Sequence, residues 1–171
     1  FDPLTPDAYN TYAKVNPPLR SLTDVDAMVA ALSDGVVDAI ATDHAPHNRQ
    51  DKLSTLNDAA FGISTLETAL GAAMSLVHED SLSLSRLIEA LTVGPARLLG
   101  DRAPDGLGTL AKGAPAEVVL IDPDMEWLVE PESFASKGRN TPLAGATLKG
   151  RVVKTIFGGT VIFGSAQDNS S

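Results

Sequence analysis

Val36-Val37-Asp38-Ala39-Ile40-Ala41-Thr42-Asp43-His44-Ala45-Pro46-His47 is the stretch on which the reading of this chain turns. Its first half is a short, mostly apolar run, the pattern of a buried strand, and Pro46 breaks whatever follows. Its second half brings together one carboxylate and two of the chain's 3 histidines. In α/β proteins the C-terminal ends of parallel strands face the crevice where chemistry is done. Asp43 is therefore the leading candidate to ligate a divalent metal and to shuttle a proton. The competing reading is a loop aspartate bonded to backbone. His44 and His47, with Asp43, can be drawn as a local zinc site. Three side chains this close on a proline-fixed turn seldom converge on one ion, so the favoured reading has one histidine ligating the metal or touching substrate and the other structural. His78 is expected at a helix C-terminus, where an imidazolium suits the dipole.

Working outward, residues 1–22 read as loop, with prolines at 3, 6, 17 and 18. A capping box at Thr23 and Asp26 opens a helix with Val25, Met28, Val29 and Leu32 on one face, and Gly35 is placed to end it. After the strand comes a polar loop over 48–58. A second capping box, Ser64 and Glu67, opens a helix carrying Leu66, Leu70, Ala73 and Val77. Ser83 caps a third, with Leu84, Leu87, Ile88 and Leu91, and Gly94-Pro95 breaks it. Beyond the linker-like Asp101 to Gly106, short β runs take over at 117–121, 125–129, 151–157 and 160–163. The last two flank Gly158-Gly159, a strong hairpin signal. A lone βα unit cannot stand by itself, because a parallel strand needs neighbours on both sides.

Composition sets the outer limits. The 171 residues are 43% hydrophobic, enough for a packed core, and carry a formal net charge of −9. That charge, with no Lys/Arg cluster, argues against nucleic acid and anionic membrane as partners. There is no cysteine, which removes disulfides and thiolate metal sites and is compatible with a reducing cytoplasm. No apolar run approaches the ~20 residues that span a bilayer.

Two further segments carry candidate groups. In Lys14-Val15-Asn16-Pro17-Pro18-Leu19-Arg20, two prolines stiffen an extended stretch from which an amide and two cations project. It can hold a carboxylate or ureide, or be a rigid loop with Arg20 in an ordinary ion pair. Phe61-Gly62 offers a ring and a residue that lets backbone approach a ligand, or a plain loop-to-helix hinge.

Together, Lys14 to Arg20, Ile40 to His47 and Phe61-Gly62 resemble the bacterial type I dihydroorotases of the amidohydrolase superfamily. Leu91-Thr92-Val93-Gly94-Pro95-Ala96-Arg97 and Gly108-Thr109-Leu110-Ala111-Lys112-Gly113 are shared more widely, with hydantoinases and related cyclic-amide hydrolases. The resemblance implies an α/β fold: the C-terminal portion of a TIM (β/α)8 barrel over 1–100, part of a small β sandwich over 105–164, and a flexible tail over 165–171. It implies that Asp43 binds zinc and acts as general base and acid. It places Asn16, His47, Phe61 and Gly62 at the substrate and leaves His44 structural. The implied reaction is the reversible hydrolysis of dihydroorotate to carbamoyl aspartate in cytoplasmic pyrimidine synthesis.

Other features of that family have no counterpart here. Its His-x-His pair, bridging carboxylated lysine and two later metal-binding histidines are absent, and Lys14 and Lys52 sit in the wrong contexts to replace the lysine. The expectation is a C-terminal part of a longer zinc enzyme, inactive alone, whose partners are its substrate and the missing N-terminal part. A homodimer or an aspartate transcarbamoylase complex is also open. The alternatives are a non-catalytic scaffold for aspartate transcarbamoylase, and another cyclic-amide hydrolase such as a hydantoinase or allantoinase.

Overall fold

The computed structural model describes residues 10–164; the prolines at 3 and 6 and the tail over 165–171 lie outside them. The chain is α/β, with five α-helices and three strands among the described residues: α1 (Leu22–Ser33), α2 (Arg49–Lys52), α3 (Ala69–His78), α4 (Leu84–Leu91), α5 (Val93–Leu99), β1 (Val118–Leu128), β2 (Thr147–Phe157) and β3 (Thr160–Phe163). By contacts it divides into two units. The first comprises the residues up to Val29, Thr42–Ala69 and Leu128–Leu148; the second comprises Ala30–Ala41, Leu70–Trp127 and the residues from Lys149 on.

The second unit is organised by apolar packing. Leu32, Met74, Leu82, Leu87 and Ala90 form its buried cluster, with Val37, Ile40, Leu70, Leu76, Val77 and Leu91 against it. The spacing along α3 and α4 turns these side chains to one face. Ser83 caps α4 as expected, its Oγ accepting from the Arg86 N–H at 3.1 Å. The Arg86 guanidinium donates to the Leu32 carbonyl at 2.8 Å and to the Val37 carbonyl, which holds the 32–37 turn to α4.

The three-stranded sheet runs β1-β2-β3. The Gly158-Gly159 hairpin is present, with Phe157 opposite Thr160 and both glycines at positive φ (53° and 78°). Such a turn matches the right-handed twist of the flanking strands. The two expected runs at 117–121 and 125–129 are one strand, β1. Pro123 sits within it; among the described residues β1 pairs on one side only, with β2, and an edge strand is where a sheet tolerates proline.

Six other expectations are corrected. Residues 36–42 form no strand, and the one parallel pairing nearby is a bridge between His44 and Ile63. A parallel strand exists only by its ladder, and the described residues bring no neighbour to this run, so Val36 is 75% exposed. The first capping box is Ser21 with Asp24, not Thr23 with Asp26. The Asp24 carboxylate accepts from Ser21 Oγ at 2.6 Å and from the Ser21 N–H at 3.2 Å. Of the apolar face expected on α1, Leu32 is buried while Val25 and Met28 are exposed. Ser64 and Glu67 cap nothing: α3 starts at Ala69, Ser64 Oγ donates to the Gly138 carbonyl at 3.0 Å, and Glu67 Oε1 accepts from the Ser136 N–H at 2.8 Å. The break after α4 falls at Thr92, ahead of Gly94-Pro95, which lies inside α5. The polar loop over 48–58 contains the one-turn α2, capped by Asn48 Oδ1 on the Asp51 N–H at 2.9 Å.

Candidate functional site

Asp43, His47, Asn16, Phe61 and Gly62 all belong to the first unit. This unit buries polar groups: Lys52, Ser64, Thr68, Asn140 and Thr141 are all at most 3% exposed. Buried polar groups persist only when their hydrogen bonds are made. Here those bonds fix the candidate residues.

Asp43 is exposed and has φ +45°, the left-handed region that aspartate tolerates better than most residues. No hydrogen bond to its carboxylate occurs among the described residues. His44, one residue on, is fully engaged. Its Nδ1 accepts from the Thr65 N–H at 3.0 Å and from the Leu66 N–H at 3.2 Å. A ring nitrogen that accepts bears no proton, so Nε2 carries it and faces Ser136 Oγ at 3.3 Å. This bonding pins the start of the turn and leaves His44 no lone pair for a metal.

His47 is held from two sides. Its backbone N–H donates to Asn140 Oδ1 at 2.9 Å, and its ring Nε2 lies 2.8 Å from the Phe61 carbonyl. A carbonyl only accepts, so Nε2 is protonated and Nδ1 keeps the lone pair. Phe61 is 56% exposed, with the Lys14 ammonium 4.3 Å above its ring centre. Gly62 is buried with φ +144°, and a Cβ there would lie 2.7 Å from Ala45 Cβ and 2.8 Å from both the Ala45 carbonyl and His47 Nε2. Only glycine allows this approach. The Gly62 N–H donates to the Lys14 carbonyl at 3.0 Å. Asn16, two residues beyond Lys14, is exposed, and its amide makes no hydrogen bond among the described residues.

Two residues carry this arrangement without having been singled out from the sequence as site residues. Lys52 is fully buried, and its ammonium donates to the carbonyls of Lys14 (3.2 Å), Ala60 (2.7 Å) and Gly62 (2.9 Å). Burial, and secondarily the charge of Lys14, lowers its pKa from the ordinary 10.5. Asn140 takes the His47 N–H and donates to the Ala45 and Gly62 carbonyls at 3.1 Å each. No periodic pattern announces either one, because their partners are backbone atoms outside any regular element.

A cleft of about 620 Å³ adjoins His47, lined also by Tyr12, Asn48, Arg49, Lys137 and Arg139. No group of three or more His, Asp or Glu able to hold a metal occurs among the described residues. With both ring nitrogens of His44 and His47 Nε2 engaged, the Asp43 carboxylate and His47 Nδ1 are the donors of Ala41 to His47 left without a partner among the described residues. By themselves these residues do not fit a metal centre. No helix among them is long and apolar enough to cross a membrane.

Comparison with known proteins bears on this geometry. Residues 14–162 match the profile of the Amidohydrolase family. The chain is 50% identical over 161 residues to the dihydroorotase of Anaeromyxobacter dehalogenans, covering 94% of this chain and 36% of that protein. It is 48% identical over 163 residues to the dihydroorotase of Pelobacter propionicus, covering 94% and 38%. The chain thus spans little more than a third of these relatives. Among solved structures, the L-hydantoinase (dihydropyrimidinase) of Arthrobacter aurescens superposes with a TM-score of 0.82 at 31% identity, covering 90% of this chain and 34% of that one. A D-hydantoinase from Thermus sp. shares the fold, with a TM-score of 0.80 at 21% identity.

Proposed function

We propose, since the chain belongs to the amidohydrolase family, that it is the C-terminal part of a dihydroorotase, which reversibly hydrolyses dihydroorotate to carbamoyl aspartate in the cytoplasm. Residues 1–100 then contribute the last strands and helices of a TIM barrel, and residues 105–164 part of a β sandwich. The observation that carries the reading is the division of labour within Ala41 to His47. His44 and the His47 backbone are consumed in fixing the turn, while the Asp43 carboxylate is exposed on it and has no partner among the described residues. Identity of 50% to dihydroorotases supports the choice of substrate.

In this reading Asp43 accepts the proton of the attacking water and returns it to the amide nitrogen that leaves as the ring opens. His47 Nδ1, Asn16 and the Phe61-Gly62 segment hold the ring and its carboxylate. Zinc belongs to the proposal for the whole protein, with Asp43 its one donor from this chain. The chain by itself is expected to show no turnover.

The hydantoinase-like structure at 31% identity favours a second reading, hydrolysis of a hydantoin or dihydropyrimidine ring. A substrate panel on the intact protein that carries this chain separates the two. The proposal expects turnover of dihydroorotate and at most traces with hydantoin, dihydrouracil or allantoin. Preference for any of those, or co-purification of aspartate transcarbamoylase with no hydrolysis at all, contradicts it.

A further inference from the structure

The Phe61 carbonyl is the atom that decides which nitrogen of His47 bears the proton, and the groups on either side of it decide where that carbonyl points. Ala60 and Gly62 both direct their carbonyls at the Lys52 ammonium, at 2.7 and 2.9 Å. The Phe61 carbonyl between them does not join that cluster and instead meets His47 Nε2 at 2.8 Å, so fixing the carbonyls on either side limits where it can turn. The third Lys52 hydrogen goes to the Lys14 carbonyl, which also receives the Gly62 N–H. An ammonium has three donors and no acceptor, and here all three are used on backbone oxygens. Lys52 makes no ion pair among the described residues, so its charge is placed where carbonyl dipoles alone compensate it. Such a placement is costly and persists where the geometry it imposes is held firmly.

We propose that Lys52 is a positioning residue for His47: by clamping the Ala60 and Gly62 carbonyls it aims the Phe61 carbonyl at His47 Nε2, locks the neutral ring in the Nε2–H form, and reserves Nδ1 for the ligand. The neutral ring then offers a ligand an acceptor, and the protonated ring adds a donor able to meet a carboxylate. The ligand half of this statement rests on the proposed function. The tautomer half does not.

The test is 15N NMR of the intact protein with labelled histidine, His44→Gln and His47→Gln spectra assigning the two rings. In the wild type both rings should show a protonated Nε2 and an unprotonated Nδ1. Lys52→Met should make His47 lose that single-tautomer signature, its two nitrogens moving toward averaged shifts, while His44, held by the Thr65 and Leu66 amides, keeps its own and reports an intact fold. If His44 also changes, Lys52→Gln, with two N–H donors in place of three, is read in the same way and should give a partial loss at His47 alone. A wild-type His47 protonated at Nδ1 overturns the proposal. So does an unchanged His47 in a folded Lys52→Met protein, and so does loss of the His44 signature in both variants, which would make Lys52 a residue of the fold in general. No substrate is present, so a correct tautomer in a protein that fails to turn over dihydroorotate counts against the proposed function only.

Discussion

The two units of this chain are stabilised in different ways. One buries Leu32, Met74, Leu82, Leu87 and Ala90 against one another. The other, among its described residues, buries an ammonium, an amide and three hydroxyls, with Ala59, Val129 and Phe134 as its buried apolar residues. Apolar packing tolerates exchange of one shape for a similar one, whereas a polar interior tolerates almost none, because each lost partner strands another group. Every candidate site residue lies in the polar unit. A site that must hold a carboxylate and an imidazole in set directions gains from bonds with direction, which apolar contacts lack.

This contrast can be broken by substitution. The largest effect is expected at Gly62. Its φ of +144° and the 2.7–2.8 Å separations from Ala45 and His47 mean that Gly62→Ala carries both backbone strain and overpacking. These should total about 3–5 kcal/mol in chemical denaturation. Next is Leu87→Ala in the apolar unit, at about 3 kcal/mol, with Leu87→Met costing less than about 1.5 kcal/mol. Asn140 should show no such tolerance. Asn140→Leu adds apolar volume yet leaves the His47 N–H and the Ala45 carbonyl without partners, at about 2 kcal/mol or more. If Asn140→Leu were as mild as Leu87→Met, the distinction between the units would fail.

The smallest effect concerns the cap of α1. Asp24 has its pKa lowered from 3.8, chiefly by the Ser21 hydroxyl and then by the Ser21 N–H. A carboxyl with a depressed folded pKa contributes stability that is complete above its unfolded value and lost as pH falls through the folded one. Fraying of α1, followed by amide exchange at its first turn, should therefore set in below about pH 3.8 and not above it. Ser21→Ala should weaken that pH dependence without abolishing it, since the backbone N–H of residue 21 still meets the Asp24 carboxylate.

The same contrast explains what the sequence disclosed. Leu87 and its neighbours were legible because burial on a helix repeats at a fixed spacing, and the Gly158-Gly159 hairpin because its turn demands two positive φ values. Asp43 and His47 stood out by residue type. Lys52 and Asn140 did not, since an amide reaching 93 residues back to a backbone N–H leaves no periodic trace. The strand expected at 36–42 failed for a related reason: a parallel strand is a property of its neighbours, and no local pattern supplies them. The Ser64 hydroxyl, legible as a cap, is used instead on the Gly138 carbonyl, a tertiary bond that overrides the local motif.

The central claim is that Asp43 is the proton-transferring group of the whole protein, displayed by a turn whose other polar atoms are already engaged. The direct measurement is the rate of dihydroorotate hydrolysis by the intact protein with Asp43→Asn, a change that keeps a residue tolerant of φ +45° and removes the basic carboxylate. The account predicts that kcat falls by at least about 10²–10⁴, with an unchanged melting temperature. A kcat within a few-fold of the wild type would contradict it.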